Sequence, residues 1–336
     1  MKPLITIFIC LTCLSCYQSN PQPASLPGNN GLEIKGVSLV APREPAGDSI
    51  FAPLENIHSN YVSLMPYAFS RPGAGIVIYN DSGKWWGESV AGVEACIKMA
   101  HNKKFKVMLK PHLWLSHGEY TGHFSLPNHS AWQAWEKTFS LYILRFAKIA
   151  DSMQVDIFCF ATEMEKAIVQ RPAYWTELIK QIRKIYSGKL TYAANWDEYT
   201  KIPFWKELDY IGVDAYFPLS GKETPGVADV EKGWENHKVA MAALSRELNK
   251  KILFTEYGYQ NTDSNCAEPW KELNAHRNDI AQANAYEGFF NSFSNETWFA
   301  GGFIWKWHSQ FSTHFLRSDY MPQPLALEVI SKGYGR

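Results

Sequence analysis

Two stretches of this chain end an apolar run in the same dipeptide, Thr-Glu. One is Val155-Asp156-Ile157-Phe158-Cys159-Phe160-Ala161-Thr162-Glu163. The other is Lys251-Ile252-Leu253-Phe254-Thr255-Glu256-Tyr257-Gly258. Each reads as a strand buried on both faces, which is a near-continuous hydrophobic run. A carboxylate where such a strand leaves the core is costly unless it is paired or used. A helix cap or a surface ion pair is the plain account of one such residue. Two strands of the same form point instead to two carboxylates aimed into one cleft. There they can divide proton donation and nucleophilic attack between them.

The elements around these stretches decide whether they meet. From Glu33 onward, short apolar strands alternate with helical stretches, the pattern of βαβ units and a parallel sheet. Strands are expected over 34–40, 61–65, 106–109, 156–161, 190–194, 210–213, 251–256 and 302–305. Helices are expected over 88–102, 131–153, 173–186, 230–248, 275–291 and 325–330. Ser130, with Gln133 three residues later, reads as a capping box for the second of these helices. Eight strands without an internal linker or fixed-period repeat fit an α/β fold, a single (β/α)8 TIM barrel with long loops at its C-terminal face. A doubly wound open sheet is the alternative, weakened because no GxGxxG follows an early strand.

Active residues of such a barrel sit at the carboxyl ends of its strands. Here those ends carry Lys110 and His112 (strand three), Glu163 (four), Asn195, Trp196 and Asp197 (five), Asp214 and Tyr216 (six), Glu256 and Tyr257 (seven), and Trp305 and Trp307 (eight). The set is rich in carboxylates and aromatics and offers no evident Ser, Cys or metal constellation. His117, His123 and His129 do not have the spacing of a helix-borne metal site. Strands four and seven lie nearly opposite each other in an eight-strand ring. Carboxylates flanking a scissile bond are what glycoside hydrolysis requires, one protonated to donate to the leaving oxygen and one ionised to attack.

Acid/base and nucleophile glutamates on strands four and seven, with a Trp ending strand eight, resemble the retaining glycoside hydrolases of clan A. Strand four departs from the clan's usual Asn-Glu by carrying Thr162-Glu163. Ala161-Thr162-Glu163-Met164, Asn195-Trp196-Asp197, Asp214-Ala215-Tyr216-Phe217-Pro218 and Phe254-Thr255-Glu256-Tyr257-Gly258-Tyr259 together are similar to glycoside hydrolase family 113. That family usually has Gly-Thr-Glu-Leu at the first of these. The resemblance covers residues 33–335 and implies endo-β-1,4-mannanase activity with retention. It assigns Glu163 as general acid/base and Glu256 as nucleophile. Tyr216 is then a candidate to hydrogen-bond the nucleophile, or a rim aromatic. Asn195 would contact a sugar hydroxyl or orient Glu163, or else cap a helix. Trp305 is the candidate floor of the −1 subsite, with core packing as the alternative. Lys110, His112 and Trp196 complete the expected substrate-binding set. Asp197 and Asp214 read as supporting or turn residues, and Glu165 as solvated.

Composition narrows the partners. Lys plus Arg equals Asp plus Glu at 33 each, which excludes the basic footprint of a nucleic-acid binder. The 13 Trp, 17 Tyr and 19 Phe build either a Trp-rich core or stacking platforms for sugar rings. Lys2 and the apolar run 4–14 form a leader too short to span a membrane. Leu14-Ser15-Cys16 resembles a bacterial lipobox with Cys13 in the place of the usual Leu, and predicts lipidation of Cys16; an ordinary cleaved signal is the alternative. The expected organisation is a signal peptide over 1–16, a polar tether over 17–32 and a catalytic domain over 33–336. An exported, envelope-anchored monomer acting on a polysaccharide or oligosaccharide is expected, with no cofactor and no membrane contact beyond the anchor. Cys96, Cys159 and Cys266 are an odd, widely spaced set that makes no disulfide framework. Two alternatives remain open: a clan A hydrolase of another β-glycan (glucan, xylan or β-mannoside ends), and a non-catalytic glycan-binding lipoprotein.

Overall fold

The computed structural model describes residues 31–79, 83–116, 119–271, 275–309 and 320–336. The expected leader, Cys16, most of the tether and His117 lie outside them. Ten strands are described: β1 (Ile34–Val40), β2 (Tyr61–Leu64), β3 (Tyr67–Ser70), β4 (Lys106–Leu109), β5 (His112–Leu115), β6 (Ile157–Thr162), β7 (Lys189–Asn195), β8 (Ile211–Asp214), β9 (Ile252–Tyr257) and β10 (Phe299–His308). Eight of them, in the order β1-β10-β9-β8-β7-β6-β4-β2, close into a parallel barrel. Glu163 therefore follows barrel strand four, and Glu256 lies on strand seven. The other two, β3 and β5, pair with each other as a separate parallel ribbon.

The helices are α1 (Ala52–Asn56), α2 (Val90–Asn102), α3 (His129–Ser152), α4 (Glu165–Gln170), α5 (Pro172–Arg183), α6 (Val227–Leu248), α7 (Asp279–Phe293) and α8 (Pro324–Tyr334). Several boundaries differ from the pattern reading, among them the starts of α3 and α7. α3 begins at His129 and is capped by Asn128, whose side chain accepts the Ala131 N–H at 2.9 Å. Ser130 lies inside the helix, so the expected capping box does not form. α7 begins at Asp279 rather than 275, because Asn278 takes the cap and accepts the Ala281 N–H.

Parallel strands alternate between a barrel-facing and a helix-facing side chain. Ile34, Tyr61, Met108, Ile157, Cys159, Ala193, Leu253, Ala300 and Phe303 fill the interior. Phe254 and Tyr257 instead face outward, against Trp234, Phe289 and Phe293 of α6 and α7. Two outward residues three positions apart break the alternation, so Thr255 and Glu256 both face inward. The pairing shows the cause: Val213 and Asp214 of β8 align with Phe254 and Glu256, leaving one extra residue in β9. Such a bulge re-aims a side chain beside an active site. Register shifts of the same kind lie between Cys159 and Thr162 of β6 and opposite Val37–Leu39 in β10. All three fall just before or at the strand ends that carry Glu163, Glu256 and Trp305.

Candidate active site

Those ends open into a cleft of about 650 Å³, lined by Tyr120, Glu163, Asn195, Trp196, Asp197, Tyr216, Glu256, Trp270, Trp305 and Tyr320. Glu163, Glu256, Asn195, Trp196, Tyr216 and Trp305, all singled out from the sequence, share this cavity. Gly258 lets the wall close: a Cβ there would stand 2.2 Å from the Trp305 carbonyl oxygen. Lys110 departs from its expected place. It is fully buried, so it lies under the cleft and not among the groups that meet a ligand.

The ammonium of Lys110 sits between two carboxylates, 2.5 Å from Glu256 Oε1 and 3.1 Å from Asp214 Oδ1. Burial pulls its pKa down, and Asp214 and Glu256 more than offset that, so Lys110 is held above its ordinary value as a cation. The Thr255 hydroxyl donates to Asp214 Oδ1 at 2.7 Å. Tyr216 donates to Glu256 Oε2 at 2.9 Å. Each oxygen of Glu256 thus has its own donor, and one of the donors is charged. Both oxygens are thereby fixed in orientation. Asp214 is pushed up to about 7 by burial and by the charge of Glu256, against the pull of Lys110 and Thr255.

His112 stands beside this cluster. Its Nε2 is 3.6 Å from Glu256 Oε1, too long for a hydrogen bond. Burial and the Lys110 charge hold its pKa well below the usual value, so the ring is neutral and the contact is not an ion pair. Nε2 is buried with no hydrogen-bond partner among the described residues.

Glu163 has a different setting. It follows the last residue of β6 with φ at 51°, in the left-handed region, where a non-glycine residue is uncommon. Its amide donates to the Ala193 carbonyl at 2.8 Å. The next amide, of Met164, donates to Tyr192 Oη at 2.6 Å. The Tyr192 hydroxyl in turn donates a hydrogen bond to Glu198 Oε1 at 3.0 Å, and the Asn195 amide donates to the same oxygen at 2.9 Å. Glu198 is fully buried, and its carboxyl is raised by burial to about 7. Neither Tyr192 nor Glu198 stood out in the sequence. Burial, Asp214 and Glu256 drive the Glu163 carboxyl well above the carboxylate range, against the pull of Lys110. Glu163 is therefore biased to the protonated acid, while Glu256 is held by a cation and a hydroxyl donor, a difference in setting that acid-assisted displacement can use.

The remaining residues form the walls. Asn195 spends its side chain on Asp197 Oδ1 (3.0 Å) and on the Trp196 amide (2.9 Å). Trp196 stacks on Trp270, with ring centres 5.3 Å apart and planes 21° from parallel. Trp305 stacks against His112 at 6.2 Å. Glu165 pairs with Lys201 at 3.1 Å, away from Glu163. Tyr120, Trp270 and Tyr320 come from loops, where no periodicity marks a position. Among the described residues no group of three or more His, Cys, Asp or Glu is arranged to hold a metal ion.

The Glu198–Tyr192–Met164 chain positions Glu163 without touching the cleft. Replacing Tyr192 with Phe removes the acceptor of the Met164 amide and the donor to Glu198. Turnover on a glycoside the wild type cleaves is expected to fall about tenfold, a part of what a well-placed proton donor contributes, with the alkaline limb of the pH profile displaced. A purely structural role for Tyr192 would lower the unfolding midpoint and leave that limb in place.

Comparison with known proteins places the chain in a family. The sequence profile of Glycoside Hydrolase Family 113 matches residues 43–319. Among solved structures, a GH113 β-mannanase from Alicyclobacillus acidocaldarius, in complex with ManMIm, superposes with a TM-score of 0.79 at 22% identity, covering 91% of this chain and 97% of that one. A GH113 β-1,4-mannanase complex gives a TM-score of 0.79 at 23% identity, over 90% of this chain and 99% of that one. A β-glucuronidase from Ruminococcus gnavus shares the barrel more loosely, with a TM-score of 0.59 at 12% identity over 90% of this chain and 50% of that one. No curated protein sequence matches. The family's profile spans most of the chain and both glutamates, and the protein belongs to glycoside hydrolase family 113.

Proposed function

We propose that this glycoside hydrolase is an endo-acting β-1,4-mannanase that works with retention through Glu163 and Glu256. The observation that carries the reading is the opposite electrostatic setting of two glutamates on one cleft. Solved GH113 structures described as β-mannanases support the choice of glycan.

In the first step a Glu256 oxygen attacks the anomeric carbon while the bond to the glycosidic oxygen breaks. Glu163 gives its proton to that departing oxygen, and a glycosyl ester forms on Glu256. Glu163, now ionised, takes a proton from water, and the water oxygen displaces Glu256 from the anomeric carbon. Lys110 and Tyr216 hold the Glu256 oxygens in place for attack and stabilise the carboxylate when it leaves. The neutral His112 ring packs between Glu256 and Trp305, and the Trp305 ring supplies an apolar floor. Trp196 and Trp270 offer a stacked platform for a neighbouring ring.

Glu256→Ala is expected to abolish release of reducing ends from β-1,4-mannan. Glu163→Ala should cut it by ~10²–10⁴-fold, the usual worth of a positioned acid, with circular dichroism unchanged in both. Near-wild-type turnover in either variant contradicts the assignment. A wild type that retains mannan on a column yet yields no product points to a binding protein, and cleavage of glucan or xylan in preference to mannan moves the activity to another β-glycan.

The pH dependence follows from the sign of the shift. Glu163 must be protonated to donate, so activity is lost as pH rises through its raised pKa. Asp214→Asn removes a negative neighbour and leaves Lys110 less neutralised, and both changes lower that pKa. The alkaline limb of kcat/KM is expected to move to lower pH in Asp214→Asn. A limb that stays or moves upward contradicts this account of Glu163.

A further inference from the structure

The ribbon of β3 and β5 extends barrel strands two and three beyond the mouth. Its register pairs Tyr67 with His112 and Phe69 with Trp114. Side chains two positions apart share a face, so these two pairs lie on one side. Ala68, Ser70, Leu113 and Leu115 turn to the other side and are buried. The inner pair is at the reaction centre: His112 Nε2 stands 3.6 Å from Glu256 Oε1, and the Tyr67 and His112 rings are 5.1 Å apart.

The outer pair lies roughly 7 Å further along the strands. Phe69 and Trp114 meet edge to face at 5.7 Å, yet remain 37% and 44% exposed. Their strand neighbours already bury the ribbon's underside, so the barrel does not need these rings for its core. The ribbon follows barrel strands two and three, whereas Trp196 follows strand five and Trp270 lies in the loop after strand seven, so the two aromatic sites occupy different sides of the mouth. Two exposed rings continuous with a reaction centre suit the apolar C–H face of a pyranose.

We propose that Phe69 and Trp114 form a distal glycan subsite, which stacks a sugar of the bound β-linked hexose chain beyond the reacting unit. The ribbon then holds one arm of the polymer while the Trp196–Trp270 stack holds the other. This rests on the reading of the cleft as that of a β-glycan hydrolase.

The test compares full-length wild type with Phe69→Ala, Trp114→Ala and the double variant. Retardation in gels containing mannan, glucan or xylan is measured with Glu163→Gln added to every chain, so that the polymer stays intact. The ratio of kcat/KM on a long β-1,4-manno-oligosaccharide to that on the shortest one cleaved is measured with Glu163 in place. Loss of one aromatic contact is expected to weaken polymer binding about 3-fold to 10-fold and to lower the kcat/KM ratio by a similar factor. Unchanged retardation and an unchanged ratio, in variants that melt like the wild type, overturn the subsite and leave the hydrolase reading standing. A wild type that cleaves none of the three polysaccharides sinks the hydrolase reading, while weaker retardation of the aromatic variants still supports the subsite. A Trp114→Ala chain that changes only its size-exclusion elution makes the patch a contact between copies and contradicts the proposal.

Discussion

One extra residue in β9 governs which way Glu256 points. In a regular strand with Phe254 packed outward, Thr255 would face the barrel and Glu256 would face the helices. A carboxylate buried there, among Phe289, Phe293 and Trp234, would have no partner and a large desolvation cost. The bulge between β8 and β9 brings Glu256 inside beside Thr255. It also returns Tyr257 to the outer layer, where its ring stacks on Phe289 at 4.2 Å. Packing on the outside of the barrel therefore fixes the aim of a group on the inside. Register shifts also lie in β6 just before Glu163 and in β10 around Trp305.

With the side chains aimed, a single buried cation sets their chemistry. Lys110 faces Glu256 and Asp214 at once, two carboxylates for one ammonium. That leaves surplus negative charge under the cleft, and Glu163 is the carboxyl that feels it without a direct ion pair. Its own desolvation first, and that charge second, raise its carboxyl well above the usual range. Lys110 is buried, so its removal would leave two carboxylates in the interior with no cation, whereas loss of either carboxylate leaves a balanced pair. Tyr216 completes Glu256, and the Tyr192–Glu198 chain braces the left-handed turn at Glu163. On the proposed assignment, acid and nucleophile are two outcomes of one charge distribution.

Much of the barrel was legible because buried parallel strands write themselves as apolar runs, and the eight barrel strands fall close to the eight runs. The two Thr-Glu ends were legible for the same reason. Their equivalence was not real: Thr255 binds Asp214, whereas Thr162 Oγ1 is buried without a hydrogen-bond partner among the described residues. Bulges leave no mark in sequence, so simple alternation cannot say that Glu256 faces inward. Lys110 sits at a strand end like a ligand-binding residue, and only the structure shows it sealed beneath the floor. Loop aromatics such as Tyr120 and Trp270 carry no periodic signal. The β3–β5 ribbon was hidden too, because Tyr67–Ser70 and His112–Leu115 are four-residue segments read as loop.

The central claim is that Glu256 attacks and Glu163 donates. A mechanism-based glycoside with a slow second step, such as a 2-deoxy-2-fluoro-mannoside bearing an activated leaving group, arrests the reaction at its covalent stage. Peptide mass mapping of the labelled enzyme locates the sugar directly. The account predicts a single ester, on the peptide carrying Glu256. A label on Glu163 or Asp214, or turnover of the probe with inversion and no label at all, would contradict it.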